Sequence, residues 1–274
     1  LLLGLKPILG EVKPDLVLVH GDTTTTMAAS LSAYYANLKV CHVEAGLRTD
    51  NKWAPFPEEM NRKITGAITD IHLAPTEQAK QNLLNEGVPE EQIVVTGNTV
   101  IDALHRGLEI IEEKKPAKIR EMDELISEDK RMILVTGHRR ENFGDGFLNI
   151  CHALREIADR GDVQVIYPVH LNPNVQQPVY EILGNHPDIN LIDPQPYEAF
   201  IHLMNKAHII ITDSGGVQEE APSLGKPVLV MRESTERPEA VDAGTVILVG
   251  TDREKIIFEA NRLLADEAAY KEMS

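Results

Sequence analysis

Three things are scarce in this chain, and each scarcity excludes something. No apolar run approaches the ~20 residues of a membrane-spanning helix, and the opening Leu1-Leu2-Leu3 has neither the basic flank nor the length of a signal peptide. Two cysteines in 274 residues cannot build a disulfide framework. Cys41 and Cys151 both fall in apolar-patterned segments, as reduced core thiols of a cytoplasmic protein do. Positive charge is short as well. The 27 Lys and Arg residues stand against 43 Asp and Glu, a formal net charge of -16. That balance argues against nucleic acid or an anionic membrane as partner.

What the chain does have is alternation. With 42% hydrophobic and 26% charged residues it can form one large or two medium domains. Strand patterns at 15–20, 39–43, 71–74 and 92–96 alternate with helical ones at 23–36, from 58 through 64, 76–86 and 100–114. A charged stretch at 112–130 with one proline follows, a candidate linker or a solvated helix between domains, and alternation then restarts. Further strands are expected at 132–136, 163–168, 190–192, 209–212, 228–231 and 245–249, with an amphipathic helix after Asp145. Units of this spacing mean parallel sheets covered by helices on both faces. The expected fold is therefore α/β: two Rossmann-like domains facing a cleft. We assign residues 1–115 to the first, 116–130 to a linker and 131–274 to the second. Leu2, Leu5 and Leu9 read as the middle of a helix, so an N-terminal part of the first domain is expected to be missing.

The most informative stretch is Ile209 to Glu220. A β-branched run is followed by Asp213-Ser214-Gly215-Gly216 and a helix starting near Val217. The glycines let backbone approach a bulky ligand, and a helix start suits a diphosphate. Ser214 adds a donor, and Glu220, one turn on, can accept from sugar hydroxyls. This is a nucleotide site in outline. In open parallel sheets, ligands bind beyond the carboxyl ends of the strands. There the first domain offers Asp22, Glu44 and the nearby Glu58. The second offers His138, Arg139, Arg140, His170, Gln195, Ser214, Gly215, Gly216, Arg232 and Arg237. Carboxylates on one side and anion-binding groups on the other suit a substrate with a sugar end and a phosphate end. Several of these residues also have an ordinary structural explanation: a helix cap for Asp22, a dipole-favoured acid for Glu58, a loop histidine for His138 or His170.

Several segments together carry a resemblance. Val19 to Thr25, His42 to Thr49, Pro55 to Arg62, Thr136 to Asn142, Asp213 to Glu220 and Thr235 to Glu239 resemble the non-hydrolysing UDP-N-acetylglucosamine 2-epimerases, in family order and over nearly the whole chain. The resemblance implies a fold of the glycosyltransferase-B type, usually a homodimer. It also implies reversible conversion of UDP-N-acetylglucosamine to UDP-N-acetylmannosamine for bacterial surface polysaccharide synthesis. Asp22, Glu44 and Glu58 then resemble the acidic trio of proton transfer, and His138 the histidine at the diphosphate. Ser214, Gly215 and Gly216 resemble the diphosphate cradle, Glu220 the ribose partner and Arg237 the arginine on the phosphates. Gln195 and Phe200 fall where the family holds uracil, and His170 matches a second, activating UDP-sugar site. The family's first strand with its Gly-Thr-Arg-Pro-Glu-type loop would lie before Leu1, and its terminal helix is cut short after Ser274.

The implied chemistry explains the parts. C1 of a sugar nucleotide is an acetal carbon, so the C2 hydrogen is not acidic. Breaking the C1–O bond to UDP first gives C1 oxocarbenium character and makes the C2 proton removable. The intermediates are 2-acetamidoglucal and UDP, and re-addition after reprotonation on the other face inverts C2. Such a scheme needs no cofactor, neither nicotinamide nor metal, but a held leaving group and carboxylates near C2. A UDP-sugar-dependent glycosyltransferase would share the nucleotide site and need an acceptor pocket. A non-catalytic UDP-sugar sensor would share the binding and lack the carboxylates.

Overall fold

The computed structural model describes residues 1–274, apart from the side chain of Pro238. Two compact units, Leu1–Thr99 and Val100–Ser274, divide the chain.

The first unit runs α1 (Leu2–Val12), β1 (Leu16–His20), α2 (Thr24–Tyr35), β2 (Lys39–Val43), α3 (Glu58–Ala67), β3 (Ile71–Ala74), α4 (Glu77–Asn85) and β4 (Ile93–Val95). Its four strands are parallel in the order β1-β2-β3-β4. Thr23 caps α2 and Thr76 caps α4, each hydroxyl accepting the backbone N–H three residues on. Because His20 lies opposite Val43, the chain leaves β1 and β2 side by side, so the turns carrying Asp22 and Glu44 are neighbours.

The second unit continues with α5 (Thr99–Lys114), α6 (Ala117–Leu125), β5 (Arg131–Thr136), α7 (Asp145–Ala158), β6 (Val163–Pro168), α8 (Pro173–Leu183), β7 (Ile189–Ile192), α9 (Tyr197–Lys206) and β8 (Ile209–Thr212). It then adds α10 (Val217–Ser223), β9 (Val228–Val230), α11 (Pro238–Asp242), β10 (Val246–Leu248), α12 (Arg253–Ala265) and α13 (Glu267–Met273). The parallel sheet has the order β10-β9-β8-β5-β6-β7. Alternate strand residues feed opposite faces. Ile133, Val135, Ile209 and Ile211 pack with α7, α8 and α12, while Met132, Leu134 and Ile210 pack with α9 and α10.

Two expectations change here. The division falls at Thr99 rather than after residue 115, because Leu104 and Ile111 of α5 pack with Ile119 of α6 and Ile201 of α9. Residues 116–130 likewise hold α6, whose Ile119 and Met122 are buried, so the charge of that stretch is a helix's solvated face rather than a linker. Cys41 and Cys151 are buried free thiols, as read from the sequence.

Candidate active site

Chain order in the second sheet reverses between β5 and β8. The chain builds outward through β6 and β7, then returns to lay β8, β9 and β10 on the other side. At such a switch point the connections leaving the two central strands diverge and open a crevice at their carboxyl ends. The turn after β5 carries His138 and the turn after β8 carries Asp213 to Gly216.

One buried carboxylate joins the two turns. Asp213 Oδ2 accepts the backbone N–H groups of His138 and Arg139, both at 2.8 Å, and the Asn142 side-chain amide at 3.4 Å. Arg139 Nε donates to the Asp213 carbonyl at 3.2 Å. Ser214 N–H donates to Thr212 Oγ1 at 2.9 Å, and Gln218 Nε2 donates to the Ser214 carbonyl at 3.1 Å, so the Gly-Gly turn is fixed from both sides. The His138 ring lies flat against His170, with centroids 5.1 Å apart and planes 13° from parallel. His170 Nδ1 accepts from the Asn172 backbone at 3.1 Å.

Arg237 stands over the same turn. A Cβ on Gly215 would come within 2.7 Å of Arg237 Nη1 and 2.8 Å of Glu236 Oε1, so only glycine lets the guanidinium this close. Arg232 and Arg237, read as anion-binding groups, are themselves paired with acids. Arg237 is ion-paired with Glu219, and with Glu236 at 2.5 Å. Arg232 pairs with Glu236 at 3.0 Å and Glu141 at 3.2 Å. Buried guanidinium groups need such partners. Glu220 is buried, which raises its pKa, and Tyr197 Oη lies 3.5 Å from its Oε1. Gln195 donates its amide to the Asp193 carbonyl at 2.6 Å, while its Oε1 is buried without a hydrogen bond. Phe200 packs against the core face shared by α9 and α10.

In the first unit the acids are held as firmly. Asp22 is ion-paired with Arg62, which also reaches Glu59 Oε2 at 3.4 Å. Asn61 Nδ2 donates to the Asp22 carbonyl at 2.8 Å, and His42 Nε2 lies 2.7 Å from the Gly21 carbonyl. Glu44 follows β2 with φ +64°, the left-handed region that a non-glycine residue adopts only under constraint. Its Oε2 lies 3.2 Å from His20 Nε2. Glu59 is fully buried and accepts from the Thr49 and Asp50 backbones at 3.1 and 3.0 Å. Glu58 Oε2 is buried with no hydrogen-bond partner among the described residues.

Asp22, Glu44 and Glu58 thus belong to one unit. His138, His170, Gln195, Phe200, Ser214, Gly215, Gly216, Glu220 and Arg237 belong to the other. Sequence reasoning passed over Asn61, Arg62 and the carboxylate of Asp213. The first two carried a signal, since they follow Glu58 by three and four residues and so share its helix face. Asp213 carried none, because nothing in a sequence shows that one side chain caps a turn 75 residues away.

Comparisons with known proteins identify the family. A family model described as UDP-N-acetylglucosamine 2-epimerase matches residues 1–274. The UDP-N-acetylglucosamine 2-epimerase of Escherichia coli (strain K12) is 59% identical over 274 residues, covering 99% of this chain and 73% of that protein. The crystal structure of the Neisseria meningitidis UDP-GlcNAc 2-epimerase bound to UDP-GlcNAc is similar at a TM-score of 0.96 and 48% identity, over 99% of this chain and 74% of that one. The Methanocaldococcus jannaschii UDP-GlcNAc 2-epimerase, crystallised with UDP-GlcNAc and UDP, is similar at a TM-score of 0.85 and 38% identity, over 97% and 73%. A match along the whole chain, with a glycine turn at the switch point and carboxylates at the ends of β1 and β2, leads to one conclusion: the chain belongs to the UDP-N-acetylglucosamine 2-epimerase family.

Proposed function

We propose that this chain inverts C2 of UDP-N-acetylglucosamine by eliminating UDP and adding it back. The second unit holds the leaving group, with Ser214, Gly215, Gly216, Arg237 and His138 on the diphosphate, Glu220 on the ribose, and Gln195 and Phe200 at the uracil. The first unit supplies acid–base groups, Asp22, Glu44 and Glu58, for the hydrogen at C2. In the forward half the C1–O bond breaks with its electron pair going to the departing phosphate oxygen. A carboxylate takes the C2 proton, and the C–H pair becomes the C1–C2 double bond of 2-acetamidoglucal. A second acid then returns a proton to the opposite face of C2, and the phosphate oxygen attacks C1. Buried donors aimed at the charge growing on UDP lower the barrier to the first step. Two buried free thiols suit a reducing compartment, and we place the reaction in the cytoplasm. Among the described residues no helix is long and apolar enough to cross a membrane.

The observation that carries this reading is the pair of carboxylates on adjacent turns, Asp22 after β1 and Glu44 after β2, each fixed by its own nitrogen partner. A sensor would have no use for two oriented acids. Incubation with UDP-N-acetylglucosamine in deuterated water tests it: NMR should show deuterium at C2 of both epimers. Binding of the nucleotide sugar without deuterium at C2 would leave the sensor reading in its place.

A further inference from the structure

Asp213 is the most deeply buried acid near the β5–β8 crevice, and only half of its carboxylate is accounted for. Oδ2 takes two backbone N–H groups and an amide, whereas Oδ1 is buried and finds no hydrogen bond among the described residues. An unpartnered buried carboxylate oxygen is costly and calls for an explanation. The nearest candidate donor is His138 Nδ1, 3.7 Å from Oδ1. A charge-assisted hydrogen bond spans about 2.8 Å, so less than about 1 Å of movement closes the gap. Catalytic hydrogen bonds are often this long before the ligand arrives.

We propose that Asp213 is a positioning residue for His138, its Oδ1 taking the Nδ1–H so that Nε2 is the ring nitrogen left for the departing diphosphate. Three features converge on this. The same carboxylate fixes the His138 backbone through Oδ2, so ring and main chain are set by one group. His170, stacked on the ring with planes 13° from parallel, limits its tilt. The charges also fit. Burial lowers the His138 pKa, Asp213 opposes that, and His170 and Arg139 add to it. Asp213 is thus the group among these that favours the imidazolium, the form whose Nε2–H donates to a developing phosphate charge. The inference deepens the role proposed for His138 and rests on it.

The test uses the full chain. Two-bond ¹H–¹⁵N spectra of the free protein should show His138 protonated at Nδ1 in its neutral form. In Asp213→Asn the amide oxygen can still accept from the His138 and Arg139 backbones, but its NH₂ faces Nδ1. The neutral ring should then switch to the Nε2–H form and titrate at lower pH. Turnover should fall on the order of 100-fold, the scale of a misplaced acid–base group, with KM changed less than about threefold. On a His138→Asn background the same substitution should cost less than about threefold more. An Nε2–H ring in the parent protein overturns the pairing, and that measurement stands even if the variant fails to fold. So does an Asp213→Asn penalty of equal size on both backgrounds. A His138→Asn variant that turns over at the parent rate overturns instead the role of His138, which separates the two failures.

Discussion

A carboxylate that moves a proton to or from carbon has to be held, because a free side chain spends its time in unproductive rotamers. Asp22 is held by Arg62 and, through its own carbonyl, by Asn61; Glu44 is held by left-handed backbone and His20. Asp22→Asn and Glu44→Gln keep shape and remove the charge, so each should lower turnover on the order of 100-fold or more while UDP binding, measured calorimetrically, stays within about threefold. Equal damage to UDP affinity would mean the acids serve the nucleotide instead. Arg237 needs a different substitution. Alanine would take the guanidinium from half-buried Glu219 and leave buried Glu236 to Arg232 alone, and so would confuse binding with folding. Arg237→Lys keeps the charge and loses the planar fork. It should weaken UDP on the order of 10-fold with little change in Tm. Gly215→Ala should do the same by a separate route, since its Cβ displaces the guanidinium from the turn.

At the scale of elements, the turn that carries Glu44 depends on how closely β2 and α4 approach. Gly46 has φ +91°, and a Cβ there would sit 2.2 Å from the Ala79 backbone oxygen. Unlike a clash with a flexible side chain, this one can be relieved only by moving α4 or the turn that carries Glu44. Gly46→Ala should therefore destabilise the first unit by at least about 2 kcal/mol, seen as a lower denaturant midpoint with a parallel fall in turnover. Elements of this kind were largely legible in the sequence. Residues 39–43, 71–74, 163–168 and 209–212 are strands at the residues read, because short, mostly apolar runs between turn formers leave few other options. The helix α6 was only half legible: its charge left a linker and a solvated helix both open, and only α9 shows which face its few apolar residues need. Strand order was not legible either, because local pattern says nothing about which side of β5 the chain lays β8. That placement makes the crevice. The site residues were therefore readable as a set of motifs, while the Asp213 link between the β5 and β8 turns was not.

Across the whole molecule, the two units differ in how they carry buried histidine. His42 and His72 are opposite one another on β2 and β3, both buried in the first unit. Burial lowers each to about 4. His72 and Arg48 reinforce the shift at His42, against the Gly21 backbone and Asp22; Arg48 reinforces it at His72, against the Thr69 backbone, Glu86 and Asp70. Neither His72 ring nitrogen is in hydrogen-bonding geometry. A histidine held neutral in the fold but free to protonate when unfolded, near pH 6.5, binds more protons in the unfolded state throughout the interval between those values. Stability is then full above about pH 6.5 and is lost as the pH falls toward 4, by about 1 kcal/mol per histidine at pH 5.5 and about 3 by pH 4. Between pH 7 and 5.5 most carboxylates stay ionised, so the first unit should lose stability over that range faster than the second. Trp53, the single tryptophan, lies in the first unit and gives its unfolding a separate fluorescence signal beside the calorimetric trace of the whole chain. His72→Leu removes the titrating ring at the cost of no more than a weak contact with the Thr69 backbone. It should leave stability at pH 7 unchanged or raised, and cut the acid loss of the Trp53 transition by about half. A Trp53 transition that holds its midpoint between pH 7 and 5.5, or the same acid slope in His72→Leu, would show that these imidazoles do not set the acid limit of the fold.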